Sequence, residues 1–213
     1  MARLHPVWLV ATLAAASCQR VPPPAAEAPR PSVTVEEAEP WRRVASPGDA
    51  AALDSLAAGW ERALAAARAA GLARRVAAEG ALLAPGAGLP RAAPPPGPYR
   101  CRYVRLGARK WTASAQAYCY VGVEAGQLSL ATELRGLRLG GYLWEVKSAD
   151  RLVFLGAAAR AGSRTASAYG DNPAADARGL VERIGDFRYR LVLAEPDSAA
   201  ELVVVDLVAA PRT

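Results

Sequence analysis

The sequence predicts a mostly β fold with an N-terminal helix, an α+β arrangement with about eight or nine antiparallel strands. Three observations support this fold class: helical spacing of apolar residues over residues 46–80, a proline-rich break after it, and short alternating runs over residues 99–209. Short strands that follow one another in the chain favour a meander. We expect it to close into a small lipocalin-like barrel or to form a strongly curved sheet.

The first residues have the pattern of a signal peptide, which we place at residues 1–17. Arg3 supplies the positive charge before the apolar run Val7–Ala16, and this run is too short to span a bilayer. We therefore expect an exported, periplasmic protein.

Two cleavages remain open at the end of this segment. An ordinary signal peptidase would cut after Ala16 or Ser17, whereas a lipoprotein peptidase would cut before Cys18. Residues 18–40 form a proline-rich, extended tether of the kind that spaces a domain from a membrane, which favours lipidation of Cys18. Gln19 in place of aspartate, by resemblance to bacterial lipoproteins, implies the outer membrane of a Gram-negative bacterium.

The formal charge of +6 is a weak indication of a nucleic acid partner. Only Lys110 and Lys147 are lysines, and the arginines are interleaved with acidic residues and do not form a basic stripe or tail. The predicted partners are therefore the membrane, through the lipid on Cys18, and a small ligand or an envelope protein, with no nucleic acid.

The residue types that remain after export exclude several kinds of catalysis. The single histidine is His5 and the single methionine is Met1, so both leave with the signal peptide. Triads that need histidine and zinc sites that need imidazole are then excluded. We expect no enzyme activity, no metal site and no cofactor.

The helical segment has clear boundaries. Ser46 suits an N-cap, Pro47 the first helical position, and Asp49 the first turn. The helix should end near Gly71, and a shorter helix should follow over Leu72–Glu79. The apolar side of the first helix, which we expect to cover the sheet, consists of Leu53, Leu56, Ala57, Trp60, Leu64 and Ala67.

Two alternating runs, Tyr99–Leu106 and Ala117–Glu124, carry one cysteine each. If Gly107–Ala113 joins them as a hairpin, Cys101 and Cys119 lie opposite or nearly opposite each other on the same face. In an exported protein this arrangement predicts a disulfide, which stabilises by about 3 kcal/mol.

Further strands are predicted at regular intervals up to residue 209, with turn residues between them, so that residues 41–210 form one globular domain. The predicted strands are Gln127–Leu134, Gly141–Val146, Arg151–Ala158, Arg164–Tyr169, Gly179–Gly185, Phe187–Leu193 and Glu201–Val208.

Residues 41–209 resemble a family of exported bacterial proteins, the domain of unknown function 4893. The similarity is carried by YRCRYVRLG from Tyr99, CYVGV from Cys119, RLVFLG from Arg151, GLVERIG from Gly179, and RYRLVL from Arg188. The chain departs from the family pattern at Leu137, where the family has glutamine. The resemblance supports the layout and export but implies no activity.

Polar and aromatic side chains in otherwise apolar strands are the candidates for a binding site at the mouth or in the interior of the barrel. The candidates are Arg102, Tyr120, Arg138, Trp144 and Glu182, with Tyr142, Arg183, Arg188 and Arg190 as further members. Neighbouring residues in a strand point to opposite faces, so we expect either Glu182 or Arg183 to face inward. We expect an ion pair between Glu182 and Arg102 inside the barrel.

Two functions fit these predictions. The first is a non-catalytic cell-envelope lipoprotein that binds a small apolar or anionic ligand in its β-barrel. The second is a periplasmic protein-interaction module such as a protease inhibitor. An open, aromatic-lined cavity would favour the first, and a filled barrel with an exposed apolar patch would favour the second.

Overall fold

The computed structural model describes residues 39–107, 111–148, 150–159, 163, 166–194 and 201–211. Its N-terminal part is helical and its remainder is an antiparallel sheet, as predicted. Among the described residues, no helix combines the length and the hydrophobicity that crossing a bilayer requires.

Three helices form a layer ahead of the sheet: α1 (Pro47–Asp54), α2 (Leu56–Ala67) and α3 (Ala73–Ala78). Ser46 caps α1 as predicted, because its Oγ accepts a hydrogen bond of 3.1 Å from the Asp49 amide. Gly71 has φ 83° within the π-helical turn Arg68–Leu72. This left-handed residue bends the chain between α2 and α3, where a helix end was expected.

Short 3-10 turns flank this layer at Pro40–Arg43 and Gly80–Leu82. The strands that follow are β1 (Gly97–Gly107), β2 (Trp111–Ala113), β3 (Ala117–Glu124), β4 (Gln127–Thr132), β5 (Leu139–Glu145), β6 (Leu152–Ala158), β7 (Asp176–Gly185), β8 (Arg188–Leu193) and β9 (Glu201–Ala209).

The sheet closes into a barrel. Each of the strands β3 to β8 pairs with the strand that follows it in the chain, and β1 pairs with both β3 and β9. β1 and β3–β9 therefore form a closed ring of eight strands. The short β2 pairs only with the second half of β1. The predicted meander and its closure into a barrel are therefore confirmed.

Two details of the strand prediction differ. The predicted strand Arg164–Tyr169 is wrong over its described residues 166–169, which belong to the irregular connection before β7. The predicted loop Gly107–Ala113 contains β2, because this segment turns back to pair with β1. The alternating pattern that identifies the longer strands does not distinguish strand from loop in these two short segments.

The barrel interior is filled by the side chains that alternate inward along the strands. They include Tyr99 and Cys101 from β1, Phe154 from β6 and Leu191 from β8, all of which are buried in one apolar cluster. An eight-stranded barrel is just wide enough for its own side chains to fill it. The interior is thus a hydrophobic core.

Inward-facing glycines allow the strands to bend tightly around this core. Gly141 and Gly156 pair with each other across β5 and β6, and Gly179 lies on β7. A Cβ on Gly141 or Gly179 would come within 2.4 Å of backbone atoms of a neighbouring strand. Only glycine permits this close approach.

The predicted disulfide between Cys101 and Cys119 is present, with Cα atoms 5.9 Å apart. Cys101 pairs with Ala117 and Cys119 with Tyr99, so the two cysteines are diagonal neighbours on the inner face. The expectation that they lie nearly opposite on one face is confirmed.

The helical layer covers the outer face of β1 and β7–β9. Trp60 and Leu64 of α2 pack in one buried cluster with Val104, Val192 and Val204 of the barrel. A smaller cluster joins Trp41 and Leu53 to Val153 and Leu155 of β6. This explains why β6 is apolar on both faces.

Candidate functional site

The contact between helices and barrel contains a buried arginine, Arg190 of β8, which has no exposed surface. Its Nε donates a hydrogen bond of 2.8 Å to Glu182 Oε2, and its Nη2 lies 2.6 Å from the same oxygen. Its Nη1 donates to the carbonyls of Ala81 at 2.7 Å and Ala84 at 2.8 Å. The guanidinium lies over the Trp60 ring, 4.3 Å from the centroid.

Burial lowers the pKa of Arg190, while the carboxylate of Glu182 acts in the opposite direction. The guanidinium carries three kinds of contact at once: an ion pair, backbone carbonyls and an aromatic ring. It therefore fixes the chain that leaves α3 onto the outside of β7 and β8.

A second ionic contact joins the end of α3 to the barrel, and a neighbouring ion pair lies within the barrel. Arg102 of β1 forms a paired contact with Glu79 at the end of α3, and its Nη2 lies 3.5 Å from Asp206 of β9. Arg188 donates to both oxygens of Asp206, at 2.9 and 3.0 Å. The hydrogen bonds to Glu79 raise the pKa of Arg102, and those to Asp206 raise the pKa of Arg188.

The third contact holds α1. Arg178 of β7 lies 3.2 Å from Asp49, and the Tyr169 hydroxyl donates to the same carboxylate. Burial, followed by the hydrogen bond to Asp49, raises the pKa of Tyr169. Each of these acids is matched by an arginine. The contacts of Arg190, Arg102 and Arg178 join the helical layer to the barrel, whereas Arg188 and Asp206 pair within the barrel.

These positions correct the expected site. Glu182 and Arg102 both lie on the outer face of the barrel, beneath the helical layer, and the predicted pair between them is wrong. Glu182 pairs with Arg190 on the adjacent strand, whereas Arg102 pairs with Glu79 and Asp206. The residue of the pair Glu182 and Arg183 that faces the interior side is Arg183, whose Nε donates to the carbonyl of Pro90 at 2.9 Å.

The remaining candidates do not join this cluster. Arg138 follows β4 at one end of the barrel, where it contacts Glu133 at 3.4 Å and the Ser163 carbonyl at 3.2 Å. Trp144 lies on the outer face of β5 and packs next to Trp41 in the smaller cluster. The sequence candidates are therefore distributed over separate regions, and the structure does not bring them together.

Tyr120 belongs to an exposed surface that we call the tyrosine face: the outer side of β3–β5 with Tyr118, Tyr120 and Tyr142. Their exposed fractions are 53%, 51% and 38%. The described helical segments pack mainly against the other strands and reach β5 only near Trp144, and the three tyrosines remain exposed among the described residues. The Tyr142 hydroxyl donates a hydrogen bond of 3.0 Å to Glu124, which raises the pKa of Tyr142.

The floor of the tyrosine face is β4, whose outer residues are Gln127 at its start and then the small residues Ser129 and Ala131. Ser129 pairs with Gly122 of β3 and Tyr142 of β5, and Ala131 pairs with Tyr120 and Gly140. Neighbouring strands lie about 4.8 Å apart, so β3 and β5 enclose a trough about 10 Å wide. Tyr118 and Tyr120 rise from β3, whereas Tyr142 of β5 reaches across one end of this trough to Glu124 of β3.

A second feature is a cleft of about 530 Å³ between α2, the loop around Gly88, and the outer face of β7. We call it the Glu182 cleft, because this residue lies in it next to Trp60. Apolar walls come from Leu56 and Leu180. Its size lies within the range of about 300–1,000 Å³ that is typical of small-molecule sites.

Sequence reasoning missed two partners that define these contacts. Asp206 is a lone acid in the apolar run of β9, and Trp60 was assigned only to the apolar side of a helix. An acid within an apolar strand is a usable signal of a buried ion pair. Its partner cannot be read from the sequence, because strand register and helix placement decide it.

Two further predictions concern the lipid anchor and metal binding. Cys18 and the proposed signal peptide lie outside the described residues. Within the described ranges, no group of three or more His, Cys, Asp or Glu side chains is arranged to hold a metal ion.

Comparison with known proteins gives one match. A family model described as Domain of unknown function (DUF4893) matches residues 41–207, which is most of the chain. Neither the comparison with curated proteins nor that with solved structures gives a match.

Proposed function

The chain belongs to the family described as Domain of unknown function (DUF4893), and from this premise we propose that it is a non-catalytic protein-interaction module of the cell envelope. Its tyrosine face binds an extended, proline-containing segment of a partner protein. The observation that carries the proposal is the exposure of Tyr118, Tyr120 and Tyr142 on one open side of the barrel.

The filled interior supports an external binding surface. Apolar side chains such as Phe154 and Leu191 occupy the space in which a carried ligand was expected. Tyrosine is enriched at protein interfaces because its ring supplies large, rigid contact area and its hydroxyl supplies a hydrogen bond.

The shape of the face supports an extended occupant. Tyr142 crosses the trough near Ser129, and the part of the trough over Ala131, next to Tyr120, fits a short extended segment lying along β4. Tyr120 and Tyr142 stand on opposite sides of this strand. Aromatic-lined grooves bind polyproline II segments, which lose little conformational entropy on binding.

The anchor and the location complete the proposal. A signal peptide, removal of it before Cys18, and lipid on that cysteine would place the module in the periplasm at the outer membrane. Labelling of cells with radioactive palmitate tests the anchor. The native chain should incorporate label and Cys18→Ser should not, whereas equal labelling of the two would contradict lipidation.

Binding is tested by NMR titration of the isotope-labelled mature chain with a decaproline peptide. We expect amide shifts confined to β3–β5. Tyr120→Ala and Tyr142→Ala should each weaken binding about tenfold, the usual effect of truncating a central interface aromatic. Tyr169→Ala is not a suitable control, because Tyr169 contacts Asp49. Ala65→Ser, at an exposed position of α2, is a suitable control and should bind as the native chain does.

Shifts elsewhere, or none, would overturn the proposal. A soluble chitohexaose oligosaccharide is titrated in parallel. If it shifts β3–β5 and decaproline does not, the surface takes a polysaccharide and the proposed protein partner is wrong.

A further inference from the structure

We propose that the Glu182 cleft is a binding site for a small organic cation that joins an ammonium or guanidinium group to an apolar body. This site lies on the helix-covered side of the barrel, whereas the tyrosine face consists of β3–β5. The two proposals therefore stand on different surfaces and fail separately.

The first observation is the state of the Glu182 carboxylate. Its side chain is only 17% exposed, and Oε2 receives both contacts from Arg190. Within the described part of the chain, Arg190 supplies all the hydrogen bonds and ion contacts found for this carboxylate. An ionised carboxylate accepts at two oxygens, so Oε1 retains its capacity to accept from a ligand in the cleft.

The charge of the lining determines the sign of the ligand. The cleft residues include the acids Glu61, Asp150 and Glu182 and one base, Arg151. Arg151 already contacts Asp150, with Nε 3.4 Å from Oδ1. An anion in the cleft would meet three carboxylates and only one lining cation, whereas a cation would be attracted by the excess of negative charge.

Arg190 does not change this conclusion. It is fully buried behind Glu182, and its Nη1 is committed to backbone carbonyls. A ligand in the cleft therefore meets the carboxylate before it meets the guanidinium. The buried arginine holds the Glu182 carboxylate in a fixed position without filling the cleft.

The walls account for the apolar body of the ligand. Leu56 and Leu180 line the cleft together with Pro85 and Trp60. Trp60 is almost completely buried and contributes apolar surface to the wall. Apolar walls with a few converging polar atoms are typical of small-molecule sites.

The test compares three ligands of similar shape: 2-phenylethylammonium, 2-phenylethanol and 3-phenylpropionate. Calorimetry of the mature chain at low salt should show the ammonium binding at least tenfold more tightly than the alcohol. The anion should bind more weakly than the alcohol. Added salt should weaken only the binding of the ammonium, because its affinity depends on an ion pair.

A filling variant locates the site. A Cβ on Gly88 would lie 3.5 Å from the Glu182 carboxylate, which is ordinary contact, so Gly88→Leu places its side chain in the cleft without removing the ion pair. We expect at least a tenfold loss of ammonium affinity. Ala65→Leu, on the exposed side of α2 outside the cleft, is the matched control and should bind normally.

Glu182→Gln should also lose the preference for the ammonium, but it leaves Arg190 without its counter-charge and so needs a check of folding. Equal affinity for the ammonium and the alcohol would overturn the proposal. So would full binding by a folded Gly88→Leu variant.

Discussion

Arg190 illustrates how a single buried residue joins the two layers. A guanidinium removed from water is costly unless all its donors and its charge are matched. Glu182 matches the charge, while the carbonyls of Ala81, Leu82 and Ala84 accept from Nη1. These carbonyls lie in and just after the 3-10 turn Gly80–Leu82, which follows α3. The arginine therefore satisfies the end of the helical layer as well as the barrel.

Replacement of this residue should be severe. Arg190→Met would leave Glu182 as an uncompensated, mostly buried charge, so we expect a loss of about 3–5 kcal/mol in the free energy of unfolding. Urea denaturation measures the loss. Arg188→Met on the same strand is the control, because its partially exposed pair with Asp206 should contribute only about 1 kcal/mol. Equal losses in the two variants would contradict the role assigned to Arg190.

At the scale of elements, the disulfide joins β1 and β3, which are paired neighbours in the barrel. Cys101 and Cys119 are 18 residues apart in the sequence, and closing a loop of this length stabilises by about 3 kcal/mol in the chain-entropy model. Reductant should lower the unfolding free energy of the native chain by about this amount. It should have no effect on the Cys101→Ala, Cys119→Ala double variant, and an unchanged native chain would contradict the prediction.

Acid should loosen the turn Pro40–Arg43 before the barrel unfolds. Glu39 accepts from the Lys147 amide at 3.0 Å, which lowers the pKa of Glu39, and the bidentate contact with Arg42 lowers the pKa of Asp54. A lowered folded-state pKa means stability that is present above the unfolded value and is lost as the pH falls through the folded value. Glu39 directly precedes this turn and contacts Trp41 within it, and Asp54 contacts Arg42 within it.

Hydrogen exchange of the Trp41 indole, which donates to Glu39 at 2.8 Å, reports the opening. Exchange should accelerate as the pH falls below the unfolded carboxylate values of about 4, relative to the barrel amides at the same pH, because the opened turn then binds protons that the folded turn does not. Asp54→Asn should show part of this acceleration already at pH 7. Simultaneous exposure of the turn and the barrel would contradict a local opening.

The elements that the sequence predicted well are those with local causes. Ser46 caps a helix because its side chain reaches its own third following amide, and Gly71 accepts a left-handed conformation without strain. β6 was recognisable from its uninterrupted apolar run. In contrast, β2 has three residues and pairs only because β1 extends beyond β3.

The candidate site was less predictable because its contacts depend on placement. Alternation correctly places Glu182 and Arg183 on opposite faces of β7. The sequence does not show which strands the helices cover on the outside of the barrel. Burial of Glu182 was therefore assigned to the barrel interior, when it results from the helical layer outside. Asp206 was overlooked for the same reason, since an acid on an outer face usually meets solvent.

At the scale of the whole molecule, the barrel and the helical layer depend on each other. The β1–β9 pairing, from Tyr99 with Ala209 to Gly107 with Glu201, closes the ring, and the ionic contacts at Glu79 and Arg190 join the layer to it. Unfolding of the barrel must then expose the interior and the layer together. The interior includes Tyr99 and Tyr189, whose rings meet edge to face at 6.1 Å.

These two tyrosines make alkaline stability a test of barrel integrity. Burial raises the pKa of both phenols, and Tyr99 donates a hydrogen bond of 2.7 Å to the Pro95 carbonyl. Above the unfolded value of about 10, the unfolded chain releases protons that the folded barrel retains. The stability that these raised pKa values confer is thus present below about pH 10. It is lost as the pH rises toward the pKa values of the folded state. Each tyrosine should contribute a slope of about 1.4 kcal/mol per pH unit in this range.

Urea denaturation at pH 9, 10 and 11, with phenolate absorbance recorded on the same samples, measures this slope. The double variant Tyr99→Phe, Tyr189→Phe should depend less steeply on pH by the contribution of two protons. Tyr142 and Tyr169, whose pKa values are also raised, remain in both proteins and cancel in the comparison. An equal slope in the two proteins would mean that the interior tyrosines ionise without unfolding, which a barrel filled by its own side chains does not allow.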